Sequence, residues 1–214
     1  MQPPANPRIY HITHVSNLAR IVEEEALLSE AAEAVSGGPA TDIGMSNIKQ
    51  RRLRMPVGCH PGNMVGESVP FYFCPRSVML CVISYRNHPA LTYKGGQEPI
   101  VHLEADLDEV VDWADGSGIA WAFTTANAGA AYATFHATLS ELDQVNWAAI
   151  AASDWRDPAL KDGKQAEFLV HGRFPWHLVR NIGVHNQAIK TQAEMAIATA
   201  KHQPSVTIQR GWYY

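Results

Sequence analysis

Lys164-Gln-Ala-Glu-Phe-Leu-Val-His171 is the stretch on which the fold turns. Phe168, Leu169 and Val170 make a short apolar run of the kind that fills a buried strand, and one acidic residue, Glu167, stands at its head. Pro158, Asp162 and Gly163 give it a polar, turn-rich approach. A carboxylate at the mouth of a buried strand is either an edge residue facing water or a charge held in a cleft for chemistry. Taken alone, the position reads as solvated, because glutamate is almost never buried unpaired.

Downstream of this strand, residues 174–179 read as a turn into a short helix, 182–185 as a strand, 188–202 as a helix and 205–209 as a last strand. Upstream, residues 147–153 suggest a helical turn, and the alanine-rich run from 127 to 142 is helical in character. A strand is expected at 119–124 after the Gly116-Ser-Gly118 turn, a short helix at 106–113 and a strand at 100–104. Residues 69–74 form an aromatic strand stopped by Pro75, followed by a helix over 78–84 capped by Ser77. Residues 8–13 alternate as a first strand. Leu18, Ile21 and Val22 then have helical spacing, with Ser16 or Asn17 as cap. Strands separated by helices and irregular loops, without regular βαβ spacing, predict an α+β domain with a mixed or antiparallel sheet. No repeat or linker divides residues 1–214, so one domain is expected.

The pattern dissolves between residues 30 and 66, where only 47–54 has helical character. Loops of that length inside a domain are usually functional. This one carries Lys49-Gln-Arg-Arg-Leu-Arg54, the strongest basic cluster in the chain. Such a cluster is either a solvated helix face or a set of cations for phosphates, which arginine binds through paired donors.

Composition narrows the class. Seventeen Lys and Arg against 21 Asp and Glu give a formal charge of −4, so any nucleic-acid groove must be local. Three cysteines without a C-x-x-C pair argue against a disulfide framework or structural zinc and for a reducing cytoplasm. The first residues lack the features of a signal peptide, and no apolar run is long enough to span a membrane. Ten histidines are scattered without a ligand motif, so no metal is expected. There is no G-x-S-x-G elbow, phosphate loop or dinucleotide fingerprint. Phe71, Tyr72 and Phe73 read as core rather than a base-stacking platform, Cys74 as an inert buried thiol, and His171, His177 and His185 as structural or surface residues. Arg76 is left between a helix cap and a DNA contact.

Six blocks carry more. Tyr10-His-Ile-Thr-His14, Arg51-Arg52, Val69-Pro-Phe-Tyr-Phe-Cys-Pro-Arg-Ser77, Gly95-Gly-Gln-Glu-Pro-Ile100, Gln165-Ala-Glu-Phe-Leu-Val170 and Trp212-Tyr-Tyr214 occur in one order across nearly the whole chain. Together they resemble the DarT family, DNA ADP-ribosyltransferase toxins of bacterial toxin–antitoxin pairs. The resemblance implies an ADP-ribosyltransferase fold, a split mixed sheet with flanking helices and a central cleft for NAD, which serves as substrate. It implies transfer of ADP-ribose to a base of single-stranded DNA, thymine in the better-known branch and guanine in a sister branch. The same fold acting on RNA or protein is the alternative. A partner antitoxin with a macrodomain or similar ADP-ribose-removing domain, a bacterial cytoplasmic location and a monomeric state follow as expectations.

In that correspondence Glu167 matches the catalytic glutamate, stabilising positive charge on the ribose and assisting proton removal from the base. Arg52 matches the catalytic arginine and NAD clamp, with Arg51 one register position away. His11, Ile12, Thr13 and Leu28 match NAD contacts. Arg20 falls at a contact position the family usually gives to a smaller residue, a departure from its pattern. Residues 35–54 would fold over NAD, and residues 124–167 would form the substrate loop.

Overall fold

The computed structural model describes residues 1–214. In chain order its elements are β1 (Arg8–His14), α1 (Leu18–Glu23), β2 (Ala26–Leu28), α2 (Glu30–Val35), α3 (Ser46–Arg52), β3 (Ser68–Tyr72), α4 (Val78–Tyr85), β4 (Ile100–Asp106), α5 (Leu107–Ser117) and β5 (Trp121–Thr124). There follow β6 (Phe135–His136), α6 (Trp147–Ala151), α7 (Pro158–Gly163), β7 (Glu167–His171), β8 (Arg173–Pro175), β9 (Asn181–Val184), α8 (Gln187–Ile197) and β10 (Ser205–Ile208).

Eight strands form one sheet in the order β10-β9-β4-β1-β3-β7-β5-β6, and β2 pairs with β8 in a second, two-stranded sheet. Only β9 and β10 run parallel, so the large sheet is mixed, as the irregular spacing of strands and helices predicts. Side chains alternate across each strand. Ile9, Leu103, Phe71, Phe168 and Val170 enter the main core, while Ile12 and Ile100 enter a smaller core with Met45, Leu80, Ile83, Leu91 and Tyr213.

The sheet is split at its centre. β1 pairs with β4 along its whole length, from Arg8 against Asp106 to His14 against Ile100. With β3 it shares a single pair, Tyr10 opposite Tyr72. Pro70 accounts for part of this, since a proline has no N–H to give to a ladder. Its carbonyl is taken instead by the His11 imidazole, at 2.8 Å.

Helix starts follow their cap residues. The Ser77 hydroxyl accepts from the Leu80 N–H, Asp106 from Asp108 and Glu109, and Asn186 from Ile189. Two helices lie where a loop or a turn is expected. Ser29 caps α2, and Asp157 caps α7 with Pro158 in the first turn, a serine start and an Asp-Pro start that the surrounding glycines and prolines obscure. Asn17 does not cap α1; its amide is used on Thr13 and Thr41. Helix α8 stops at Ile197 rather than running to residue 202, and residues 173–175 form a strand where a turn is expected.

The largest departure is the alanine-rich run. Residues 127–142 are not a helix; they hold a turn, the two-residue β6 and the start of a 3-10 segment over Leu139–Gln144. Helix propensity loses there to tertiary bonds. The Ala128 N–H is committed to the Glu167 carboxylate, and Phe135 and His136 pair with β5. No helix is long and apolar enough to cross a membrane.

Candidate active site

Glu167 opens β7, between β3 and β5 in the large sheet, and is 2% exposed. The solvated position that the isolated residue favours is therefore wrong, and the reason is a partner. The Arg52 guanidinium donates through one nitrogen, Nη1, to both carboxylate oxygens, at 3.0 Å to Oε1 and 2.9 Å to Oε2. The Ala128 N–H adds a third bond to Oε1, at 3.0 Å. The main chain is fixed as well. The Glu167 N–H donates to the Thr124 hydroxyl at 3.1 Å, and that hydroxyl donates to the Ala126 carbonyl at 2.7 Å. A buried carboxylate with three charge-assisted bonds keeps its orientation without water.

Arg52 ends α3, and its Nη2 is buried without any hydrogen-bond partner. Burial works against its charge, but the Glu167 carboxylate outweighs that and holds the guanidinium above its ordinary pKa. Tyr72 lies directly opposite Glu167 in the β3/β7 register. Burial, then the Glu167 charge, push its phenol well up, so it stands as a neutral hydroxyl. Arg51, by contrast, is exposed.

His11 sits in the split, its ring edge-on to Phe71 at 5.7 Å between centroids. Desolvation lowers its pKa. Because a carbonyl can only accept, the neutral ring must carry its proton on Nδ1, toward Pro70, which leaves Nε2 as an acceptor. The Ile12 side chain is committed to the smaller core, so only its main chain is free for a ligand. The Thr13 hydroxyl accepts from the Asn17 amide at 2.9 Å. Leu28 is half-buried on β2, opposite Arg173. Arg20 donates to the carbonyls of Gly38 and Ser36 and pairs with Glu33 at 3.6 Å, so its head fastens the segment that leads into α3.

The structure thus brings Glu167 and Arg52 into contact, sets His11 in the split, and engages Thr13, Arg20 and Leu28 with other partners, none of them bonded to that pair. The sequence reading misses three contributors: Ala128, Thr124 and Tyr72. Ala128 and Thr124 act through backbone or a single hydroxyl, which leave no motif. Tyr72 is legible only once the β3/β7 register is known. Phe71 and Phe73 are core, at 1% and 5% exposed. Ser77, not Arg76, caps α4, and the Arg76 guanidinium lies over the Tyr214 ring at 4.5 Å.

The pair can do two things chemically. A fixed carboxylate stabilises positive charge developing nearby and accepts a proton, while a guanidinium with an unused donor takes up a phosphate or other anion. Comparisons with known proteins give the family. Residues 10–214 match the family described as ssDNA thymidine ADP-ribosyltransferase, DarT. A DNA ADP-ribosyl transferase of Thermus sp. (strain 2.9) is 39% identical over 214 residues, covering 99% of this chain and 98% of that protein. The solved Thermus sp. 2.9 DarT in complex with ADP-ribosylated ssDNA superposes with a TM-score of 0.90 at 37% identity, covering 100% of this chain and 99% of that one. The same protein in complex with NAD+ superposes with a TM-score of 0.81 at 36% identity, covering 99% of each chain. The chain belongs to the DarT family of NAD-dependent DNA ADP-ribosyltransferases.

Proposed function

We propose that this protein transfers ADP-ribose from NAD to a thymine base of single-stranded DNA, as the toxin of a bacterial toxin–antitoxin pair. The observation that carries the reading is the buried contact between Glu167 and Arg52 beside the split in the sheet. The residues present fit NAD: Arg52 has a buried donor without a partner, and His11 presents an acceptor nitrogen in the split.

Bound NAD supplies a ribose already joined to a leaving group, nicotinamide. Arg52 holds a phosphate through the nitrogen that Glu167 does not use. His11 accepts from a ribose hydroxyl through Nε2, and the strand end at Ile12 and Thr13 contributes the Ile12 main chain and the proton of the Thr13 hydroxyl. Leu28 adds an apolar contact. Arg20 acts through residues 36–38, which it ties to α1. Glu167 faces the ribose, where its charge offsets the positive charge that builds as the bond to nicotinamide breaks. It then takes the proton that leaves the ring nitrogen of the acceptor base as the new bond forms. Residues 124–167 carry acceptor recognition. A cytoplasmic monomer, opposed by an antitoxin that removes ADP-ribose, completes the reading.

Mass spectrometry of mixed single-stranded oligonucleotides incubated with the protein and NAD tests it. An added ADP-ribose located by fragmentation on thymine is the expected result. An adduct on guanine would move the target base, and unmodified DNA with NAD still bound would move the acceptor to RNA or protein.

A further inference from the structure

A residue outside the site approaches the main chain at the end of α3, next to Arg52. After α3 the chain runs out and back through a narrow turn, with the Val57 N–H donating to the Asn63 carbonyl at 2.8 Å and the Val65 N–H to the Met55 carbonyl at 2.8 Å. The returning limb, a 3-10 turn over Val65–Glu67, feeds directly into β3. Gly66, in the middle of that turn, is buried. A Cβ placed on it would lie 2.8 Å from the Leu53 main-chain nitrogen, 2.9 Å from the Leu53 Cα and 2.8 Å from a Leu53 side-chain methyl. The methyl can rotate away; the main-chain atoms cannot. Gly66 does not have the left-handed backbone that singles out Gly37, Gly38 or Gly62, so the need for glycine is close approach alone.

The two sides of this contact differ in what can give. On the Gly66 side, Val65 is fully buried against Val57, Ala122, Ala128 and Leu169. The Glu67 carbonyl takes the Gly172 N–H at 2.7 Å, and Ser68 and Val69 are already paired with β7. On the Leu53 side, α3 has no buried residue. A side chain at 66 would therefore move the end of α3, and Arg52 with it, while β7 and Glu167 stay.

We infer that Gly66 is a positioning residue: its bare Cα sets how far the Arg52 guanidinium stands from the Glu167 carboxylate. The catalytic consequence rests on Arg52 holding NAD, as proposed above. The test is a double-mutant cycle on NAD affinity, measured by calorimetry on the full chain with Gly66→Ala, Arg52→Ala and both, and Gly116→Ala as control because a Cβ there meets nothing within 4 Å. Gly66→Ala should weaken NAD about tenfold and cut kcat at saturating NAD by about tenfold to a hundredfold, as expected of a displacement near 1 Å. In the Arg52→Ala background it should change NAD affinity less than about twofold. Equal losses in both backgrounds, or none in either, overturn the inference. If Arg52→Ala alone leaves NAD affinity intact, the reading of Arg52 as the clamp fails, and a crystal structure of Gly66→Ala without NAD decides the positioning separately. There the Nη1–Oε2 contact, 2.9 Å in the native chain, should open past about 4 Å with β3 and β7 superposed. An unchanged contact, or a chain that no longer folds, assigns Gly66 a purely structural role and overturns it.

Discussion

Glu167 and Arg52 reach the same contact by opposite routes. Glu167 stands on a central strand with neighbours on both sides, and Phe168 and Val170 after it are fully buried in the main core. Arg52 ends a short helix with no buried residue, in a stretch whose periodicity is lost. The segment before it is held by side chains: Asn17 brackets the Thr41 main chain at 2.8 and 2.9 Å, Arg20 ties residues 36–38, and Lys49 pairs with Asp42 at 2.9 Å. The carboxylate is thus placed by the sheet ladder and the core, the guanidinium by local bonds that are individually weak. Such an arrangement holds the carboxylate on the most deeply packed part of the fold and the guanidinium on a segment with few packing contacts of its own.

Substitutions at the two ends should then fail differently. Glu167→Gln keeps the acceptor for the Ala128 N–H but removes the charge and the base. Transfer should drop by on the order of a thousandfold or more, while NAD affinity stays within a few-fold. Full activity in that variant would remove Glu167 from the chemistry. Arg52→Ala should also stop transfer but should weaken NAD binding in addition, because it takes away the proposed clamp and leaves a buried carboxylate with one donor fewer. Arg51→Ala, at an exposed position, should cost less than about tenfold in kcat/KM. If Arg51→Ala is the inactive variant, the assignment shifts by one position.

The same contrast explains what the sequence discloses. The sheet around Glu167 is legible because its strands announce themselves as apolar or alternating runs: residues 69–74, 100–104 and 168–170 all lie where expected, within a residue or two. The region that carries Arg52 and the loop that carries Ala128 are not. Helix α2 is hidden among glycines and prolines, and the alanine-rich run promises a helix that the Glu167 carboxylate and β5 forbid. The pairing of Glu167 with Arg52 spans 115 positions. No local pattern encodes such a contact, and only the resemblance of the separate blocks to a family joins the two residues before the structure does.

Thr124 offers a smaller and sharper probe of the rigid side. Its buried hydroxyl ties the Glu167 N–H to the Ala126 carbonyl at the base of the loop. Thr124→Val keeps the shape and loses both bonds. Losing two net hydrogen bonds should cost about 1–3 kcal/mol, or roughly 2–12 °C in Tm for a chain of this size. The kcat should fall about tenfold with KM for NAD little changed, since the carboxylate shifts and the clamp does not. Thr124→Ser should restore both. A matching loss of NAD affinity would mean that the two sides of the site are more tightly joined than their routes suggest.

His102 tests the far side of the split, away from the chemistry. It is fully buried on β4, bonded to the Pro75 carbonyl at 3.0 Å and set edge-on to Trp212 and Tyr213, with Nδ1 unpartnered. Burial lowers its pKa from 6.5 to about 4, only partly offset by the bond to the Pro75 carbonyl. The folded ring is therefore neutral where the unfolded ring already carries a proton. Below about pH 6.5 the unfolded chain binds more protons, so stability falls as the pH drops toward 4 and the penalty levels off below that. A shift of this size is worth up to about 3 kcal/mol. Tm measured from pH 7 to 4.5 should fall more steeply for the native protein than for His102→Gln, even if the variant starts lower. His11 titrates in the same sense, but it is present in both proteins and cancels in the difference. Parallel curves would mean that the ring is protonated in the fold, and that this half of the sheet admits water where the Glu167 half excludes it.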